Sequence, residues 1–327
     1  MLKKILFALA LSSLVLVQTS ANAVTFSETF STTPLSNGWK IFGDTNLFQW
    51  NSANQNLEVT WDSSKPNSYF HRPLGTILAK DDDFSLAFDL RLSDIAIGAD
   101  TNKPLTFQIA VGFLNFKQAT NASFIRGSGY QAPNLVEFNY FPDSGFGNTI
   151  TTPIISSNNG YAGFSFTLLE MTPNDLFHIE MNYSASNQTL KTVMTKNDAS
   201  FGPIADTAIV ATDFDFRVDT VAVASYNDAG QDPEYAGSIL AHAVVDNLVM
   251  TVPESPVGNL ADAISGNLGE VQFSSRTNFT YVLERTTDFQ TWTNASAVTD
   301  GTGSNLVLQD TNALTEKAFY RVRAKRP

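Results

Sequence analysis

The segment Phe84-Ser-Leu-Ala-Phe-Asp-Leu-Arg-Leu92 decides the class of fold. Its large apolar residues fall at every second position, and smaller or polar residues stand between them. A period of two places each set on one face of a β-strand, so this segment is predicted to be a strand with one buried face. The segments 164–168 and 177–183 repeat the pattern, and 107–116 is more continuously apolar, as in a strand that is covered on both faces.

Turn-forming residues separate these strands, as at Asn37-Gly38 and Asn158-Asn159-Gly160. No long stretch has the period of an amphipathic helix. Short strands between turns predict an all-β protein built as a sandwich or jelly roll. The 25 phenylalanines supply the bulky side chains that a core between two sheets requires.

The composition excludes several classes of function. The 327-residue chain has 20 lysines and arginines against 32 aspartates and glutamates, a formal charge of −12. Nucleic-acid binding needs a basic surface, so no nucleic-acid partner is expected. The chain has no cysteine, which excludes disulfides, thiolate catalysis and zinc–thiolate sites. Its three histidines, at 71, 178 and 242, are far apart in sequence, and no organic cofactor is predicted.

Residues 1–23 have the three parts of a secretory signal peptide. Lys3 and Lys4 precede an apolar run over 5–17, and Ala21-Asn22-Ala23 is a cleavage site of the A-x-A type. The run of about 13 residues is shorter than the roughly 20 that a membrane-spanning helix needs. We therefore expect a secreted bacterial chain that is cleaved near Ala23 and stabilised by core burial.

The stretch Val252-Pro253-Glu254-Ser255-Pro256 predicts a domain boundary, because two prolines stiffen a short extended linker. We predict a first domain over 24–252, a linker over 253–258 and a smaller β-sandwich module over 259–327. Trp292 is expected in the core of this module. The strand patterns of the module are 269–274, 280–286, 305–309 and 318–324.

The first domain opens with Phe26-Ser-Glu-Thr-Phe30, Gly38-Trp39 and Asn56-Leu-Glu-Val-Thr-Trp61. This order resembles the opening of concanavalin A-like jelly-roll domains. The segment 177–190 is similar to a hairpin of lectin and laminin-G-like sandwiches, and 244–251 to the last strand of secreted carbohydrate-binding jelly rolls. The resemblance covers about residues 24 to 252, and it implies a jelly-roll sandwich of the carbohydrate-binding type.

The smaller module contains Tyr281-Val-Leu-Glu-Arg-Thr-Thr-Asp288 and Phe319-Tyr-Arg-Val-Arg323. These stretches resemble the fibronectin-III-like modules that recur at the C-termini of secreted bacterial proteins. The resemblance implies a spacer or attachment module and no catalysis.

The strongest indication of catalysis is the segment Glu137-Phe-Asn-Tyr-Phe-Pro-Asp143. On a strand, Glu137 and Asn139 share one face, and Tyr140 belongs to the other. Jelly-roll glycoside hydrolases of the laminarinase type carry Glu-x-Asp-x-x-Glu, with the two carboxyl groups about 5 Å apart. Here Asn139 replaces the aspartate and Pro142 stands at the second glutamate. Glu137 and Asp143, the latter expected in a turn, therefore form a weak catalytic pair.

Polysaccharide lyases on jelly rolls typically combine a histidine or tyrosine base with an arginine or glutamine that neutralises a uronate. His71-Arg72 and His178 could contribute to such a site. No lyase-type cluster is visible in the sequence, so lyase activity remains an alternative to binding.

Sugar binding would use exposed aromatic rings, because the apolar face of a pyranose stacks on a ring while neighbouring polar side chains bond its hydroxyl groups. The alternative for each ring is packing in the core. The candidate glycan-binding residues are Trp50, Trp61, Asp62, Tyr69, His71, Asn139 and Tyr140.

Calcium is the one cofactor that the sequence suggests, in a structural role. It takes about six to eight oxygen ligands, and the acidic loop 227–234 offers three carboxylates. These are Asp228, Asp232 and Glu234. A second candidate site joins Glu28 and Asp246, since first and last strands often adjoin in the related jelly rolls, which hold a structural calcium there.

The sequence therefore predicts a secreted, non-catalytic protein that binds an extracellular polysaccharide with calcium in support. The first alternative is a jelly-roll glycoside hydrolase or polysaccharide lyase. The second is a structural or surface-layer protein whose sandwiches mediate protein contacts.

Overall fold

The computed structural model describes residues 23–96, 109–122, 124, 134–144, 147–157, 160–202, 206–208, 215–227, 239–265, 268–313 and 318–327. The signal peptide predicted over 1–23 lies outside the described residues apart from Ala23. The described chain divides into two compact units. The larger unit is Ala23–Gly258 with Arg326, and the smaller is Asn259–Lys325 with Pro327.

The larger unit contains two antiparallel sheets. One has nine strands: β1 (Ala23–Glu28), β3 (Phe48–Asn51), β4 (Asn56–Asp62), β6 (Phe84–Ala96), β11 (Phe177–Ser184), β12 (Thr189–Lys196), β13 (Ala199–Ser200), β14 (Asp206–Ala208) and β16 (Leu240–Pro253). The other has seven: β2 (Lys40–Phe42), β5 (Ser68–Leu78), β7 (Ile109–Leu114), β8 (Leu135–Ser144), β9 (Gly147–Ser157), β10 (Gly160–Leu168) and β15 (Val218–Ser225).

The connections between the sheets are those of a jelly roll. From β4 to β7 the chain alternates between the sheets, so β4 and β6 belong to one and β5 and β7 to the other, whereas β7 to β10 and β11 to β14 are consecutive within a sheet. The late strand β16 lies between β4 and β6, and β15 lies between β5 and β7. The predicted fold class, an all-β jelly-roll sandwich, is confirmed. The helical segments of the described chain are the short turns Pro34–Asn37, Thr45–Leu47 and α1 (Phe116–Ala119).

The alternation of apolar and polar residues in β6 determines which of its side chains enter the core. Leu86, Phe88 and Leu90 are fully buried between the sheets, whereas Arg91 is exposed. Strand β7 is buried at all six positions, which confirms the prediction of a strand covered on both faces. Its second face packs in a separate apolar cluster with residues of β5, β8 and β15.

The first strand is tied to the fold through the buried carboxylate of Glu28. Its oxygens accept hydrogen bonds from the Phe30 amide (2.8 Å), Asn37 Nδ2 (2.9 Å) and the indole N–H of Trp39 (3.1 Å). Strand β1 pairs with β16, with Glu28 opposite Leu248, so the first and last strands of this unit adjoin as expected.

The smaller unit also consists of antiparallel strands. One sheet contains β17 (Val257–Ser265), β18 (Leu268–Ser275) and β22 (Asn305–Asp310). The other contains β19 (Thr280–Thr286), β20 (Thr293–Asn294), β21 (Thr299–Asp300) and β23 (Phe319–Lys325). The likeness of this unit to a fibronectin-III-like module stays a prediction. Across the described ranges, no helix combines the length and the apolar character that crossing a bilayer requires.

The expectation that Trp292 fills the core of the smaller unit is wrong. Tyr281 and Leu283 of β19 take the inward positions and are fully buried. Trp292 lies before β20, and its indole is only partly covered, with the Arg321 guanidinium 4.1 Å from its ring centroid. Arg321 lies opposite Glu284 on the other face of β19, so the indole belongs to the outer face of this sheet.

Replacing Glu28 by alanine should lower the free energy of unfolding of the larger unit by about 2–4 kcal/mol, because buried donors would lose their acceptor. Glu58→Ala is the matched control, since Glu58 is exposed and bonds only the Asn51 side chain in the described chain. Urea unfolding with and without chelator measures both variants. A Glu28→Ala loss that vanishes in chelator would instead indicate a calcium ligand.

Candidate functional site

The seven-stranded sheet brings four of the predicted site residues onto its outer face. Tyr69 and His71 come from β5, and Glu137 and Asn139 from β8. Strands β15 and β7 lie between them, so the four side chains form two opposed pairs. The prediction that Glu137 and Asn139 share a face is confirmed, since Tyr140 packs in the inter-sheet core.

The strand register aligns these residues in two rows across the sheet. One row runs His71, Ala222, Gly112, Glu137, and the next runs Tyr69, Ala224, Ala110, Asn139. Each row has two small residues between its larger ends. We call these eight residues the trough: a floor of alanine and glycine between a β5 wall and a β8 wall. All eight are buried, because Phe116, Ala119 and Phe124 pack over this face.

The small floor arises from alternating residue sizes in β7 and β15. Ile109-Ala-Val-Gly112 and Val221-Ala-Val-Ala224 place the large residues in the inter-sheet core and the small ones outside. At Gly112 a Cβ atom would lie 2.4 Å from the Val136 carbonyl oxygen and 2.5 Å from Glu137 Cα. Glycine at 112 therefore permits the close approach of β8 that seats Glu137.

Tyr226 continues the outward face of β15 beyond Ala222 and Ala224. Its hydroxyl donates a short hydrogen bond to Glu137 Oε1, and its ring contacts Tyr69 at a centroid distance of 5.8 Å. Sequence reasoning missed this residue. The available signal was its register, two positions after Ala224, with the same strand alternation.

Asn139 lies on the predicted face of β8, but Asp143 does not lie in the predicted turn. Asn139 is fully buried, and its Nδ2 donates to the Glu137 carbonyl at 3.1 Å. Strand β8 continues through Ser144, so the expectation of a turn at Asp143 is wrong. The register shift between Phe141 and Ser144 shows that an irregularity in the pairing with β9 accommodates Pro142. The Asp143 side chain lies outside the described residues, so its pairing with Glu137 stays a prediction.

His71 is buried at the β5 wall of the trough. Its ring stacks on Phe116 at a centroid distance of 4.2 Å. Burial, and then the charge of Lys40, lower its pKa to about 4, so the imidazole is neutral at pH 7. Its Nδ1 has no hydrogen-bond partner among the described residues. A buried polar atom without a partner is destabilising, and such atoms are rare in folded proteins.

Three aromatic rings that were predicted to be accessible are buried instead: Trp61, Tyr69 and Tyr140. Their polar atoms are engaged inside the protein. The Trp61 indole donates to the Ala224 carbonyl at 2.9 Å, and the Tyr69 hydroxyl donates to the Ala119 carbonyl at 3.0 Å. A ring enclosed in this way cannot stack on a sugar, so the prediction for these rings is wrong.

Two other predicted glycan-binding residues remain at the surface of the larger unit. Trp50 is 37% exposed, and its indole donates to the Phe30 carbonyl at 2.9 Å. Asp62 caps a turn, with Oδ1 accepting from the Ser64 amide at 3.0 Å and from its hydroxyl at 2.6 Å. Neither residue belongs to the trough.

The two calcium sites predicted from the sequence stay predictions. Asp228, Asp232 and Glu234 lie outside the described residues. Glu28 accepts hydrogen bonds from protein donors at both its oxygens, and the calcium site that joins it to Asp246 stays a prediction. Burial raises the pKa of Asp246, opposed by the Asn247 amide and reinforced by the charges of Asp89 and Glu28. Within the described ranges, no group of three or more acidic or histidine side chains could hold an ion.

The chain resembles known proteins in fold but has low sequence identity to them. No family model matches the chain, and no curated protein matches it. Peanut lectin in complex with a nine-residue peptide is 14% identical, with a TM-score of 0.45 and coverage of 71% of this chain and 98% of that chain. Winged bean acidic lectin complexed with methyl-α-D-galactose is 11% identical, with a TM-score of 0.43 over 71% and 99%.

The alginate lyase Aly36B is 12% identical, with a TM-score of 0.42 over 69% of this chain and 96% of that chain. These lectins and this lyase have concanavalin A-like jelly-roll folds. Similarity at this level assigns no role to any residue of the present chain.

The lowered pKa of His71 predicts acid-sensitive stability. Protonation below pH 6.5 favours the unfolded chain until the pH reaches about 4, so stability should fall by about 3 kcal/mol across this window. His71→Gln should remove this component when urea unfolding is measured between pH 7 and pH 4.

His178→Gln is the control for that measurement. Burial lowers the pKa of His178, but Asp89 and Glu180 outweigh burial and raise it. Acid therefore strengthens the native state at His178, and the variant should shift the pH dependence in the opposite direction. Equal pH profiles for wild type and His71→Gln would contradict the burial of a neutral imidazole.

Gly112→Ala should destabilise the larger unit by about 1–3 kcal/mol, because the new methyl group overlaps the backbone of β8. Gly269→Ala is the comparison, since its Cβ would meet no atom closer than 3.4 Å. Thermal melting measures both variants. A Gly112→Ala protein that melts like wild type would refute the close approach at Glu137.

Proposed function

We propose that this protein is a secreted, non-catalytic binder of an extracellular polysaccharide and that the trough is its glycan site. The observation that carries the proposal is the buried Nδ1 of His71, which lacks a partner among the described residues. A neutral imidazole can donate or accept one hydrogen bond at each nitrogen. A sugar hydroxyl would satisfy this atom, because a hydroxyl both donates and accepts.

The remaining trough residues suit the same ligand class. Ligand sites combine apolar surface with a few convergent polar groups. The alanine and glycine floor provides the apolar surface, and Glu137, Asn139 and His71 provide polar groups from two sides. Tyr226 closes the trough by bonding Glu137. Because these residues are buried and Phe116 of α1 stacks on His71, we propose that α1 moves aside as the ligand enters. A glycan hydroxyl then replaces the Tyr226 hydroxyl on this carboxylate.

The secreted location is proposed from the signal-peptide pattern at 1–23, and the calcium support from the acidic loop 227–234. Non-catalytic binding is preferred because Asn139 and Pro142 stand where the laminarinase-type motif carries carboxylates.

A polysaccharide lyase is the second candidate. Neutral His71 and the Tyr226 hydroxyl belong to the same face of the sheet and could act as base and acid. This function requires that the protein produce unsaturated uronate ends from a uronic-acid polymer.

The test is a panel of soluble and insoluble polysaccharides incubated with the mature chain, with calcium and with chelator. Wild type should bind at least one glycan, and His71→Gln and Asn139→Ala should weaken that binding by about tenfold. His242→Gln is the matched control, because His242 is exposed and paired with Asp94 on the other sheet. All variants should melt cooperatively before binding is compared.

The outcomes separate the candidate functions. A blank panel with and without calcium would contradict glycan binding, and self-association in the same samples would favour a structural protein. Release of unsaturated products would establish the lyase. Release of reducing ends that stops in Glu137→Gln would establish a hydrolase.

A further inference from the structure

The outer face of the four-stranded sheet in the smaller unit carries a row of cations. Alternate residues of a strand project to the same face, so Arg321, Arg323 and Lys325 of β23 lie side by side. All three are exposed. In a chain with 32 acidic and 20 basic residues, this row is a local positive surface.

Glu284 of β19 orients two of these cations. Arg321 Nε donates to Glu284 Oε2, and Arg323 Nε donates to Glu284 Oε1, each at 2.7 Å. One carboxylate therefore faces two guanidinium groups, and an excess of positive charge remains.

The guanidinium groups keep donors for an external anion. Only the Nε atoms of Arg321 and Arg323 have hydrogen-bond partners among the described residues. Their side chains are 48% and 46% exposed. The terminal nitrogens thus form two oriented forks with the geometry that binds carboxylate or sulfate oxygens in pairs.

Aromatic rings stand at one end of the cation row. The Arg321 guanidinium lies 4.1 Å from the Trp292 ring centroid. Phe289 packs against Phe319 at 3.9 Å and against Trp292 at 6.5 Å. We call Arg321, Arg323, Phe289, Trp292 and Phe319 the arginine–aromatic surface.

Phe289 has an exposure and a backbone conformation that are unfavourable for a phenylalanine. It is 60% exposed, and its φ of 59° is left-handed, which is unfavourable for a bulky residue. Hydrogen bonds of the turn impose this conformation. Thr286 Oγ1 accepts from the Phe289 amide at 3.0 Å, and Asp288 Oδ1 accepts from the Gln290 amide at 2.8 Å. The turn therefore holds an apolar ring in water beside the guanidinium forks.

We propose that the arginine–aromatic surface binds an anionic polysaccharide. A sugar ring stacks on Phe289, and the carboxylate or sulfate of the polymer accepts hydrogen bonds from Arg321 and Arg323. The proposal takes its ligand class, a polysaccharide, from the proposed function, but the site is separate from the trough. Duplex nucleic acid is a poorer match, since one charge per about 1.7 Å calls for a larger basic surface than two arginines and a lysine provide.

The experiment measures binding of the mature full chain to polygalacturonate, carrageenan and the neutral glucan laminarin. Binding to an anionic glycan should weaken as salt is raised. The double variant Arg321→Lys, Arg323→Lys keeps two charges beside Glu284 but removes the forks. Phe289→Asn removes the ring and suits a left-handed φ. Each should lower affinity for the anionic glycan by about tenfold, because central aromatic and arginine residues dominate interfaces.

Melting temperatures distinguish a binding role of the arginine–aromatic surface from a purely structural role. Phe289→Asn should melt no lower than wild type, since it relieves backbone strain while it loses binding. Val298→Asn is the matched control, because Val298 is 61% exposed in the same unit and lies outside the surface. Its affinity should equal that of wild type.

The other measurements identify the anionic group of the ligand and the site that binds it. Binding to polygalacturonate alone identifies a carboxylate ligand, and binding to carrageenan alone identifies a sulfate ligand. Unchanged affinity in Phe289→Asn, or a preference for DNA or for a second copy of the chain, would overturn this proposal. Glycan binding lost in His71→Gln but retained in Phe289→Asn would leave the trough as the site. The reverse result would support this surface and contradict the trough.

Discussion

The central strands β7, β8 and β15 of the seven-stranded sheet are buried on both faces, and the larger unit depends on this constraint. A strand covered on both sides must satisfy two packing surfaces at once, which β7 does by alternating large and small residues. Its large side chains fill the space between the sheets, and Ala110 and Gly112 let neighbouring groups pack closely on the outer face. The trough exists because β15 uses the same alternation in register.

Most polar side chains on the outer face of the seven-stranded sheet are fixed by hydrogen bonds as well as by packing. Tyr226 bonds Glu137, and the Asn139 amide bonds the backbone of β8, so both side chains are positioned by hydrogen bonds as well as by contact. His71 differs, because its Nδ1 lacks a partner in the described chain. The energetic penalty of that atom, together with its low pKa, makes it the most informative residue of the site.

The smaller unit contains a buried carboxylate whose charge must be compensated. Glu284 is buried, and two arginines compensate it through their Nε atoms. This arrangement leaves the terminal nitrogens exposed next to a strained phenylalanine. Each arginine satisfies one oxygen of this carboxylate, so the exposed ring is the feature that stability alone does not explain.

The sequence by itself determined the strands, because the period-two pattern in 84–92 and 177–183 depends only on which face each residue takes. It also determined that Glu137 and Asn139 share a face. Only the tertiary structure decided that the polar face of β8 is buried as well, and what lies opposite it. Burial of Trp61 and Tyr69, the bond between Tyr226 and Glu137, and the display of Phe289 arise from contacts between residues far apart in the chain. A local pattern reports the direction of a side chain, but its exposure depends on the strands and loops that fold over it.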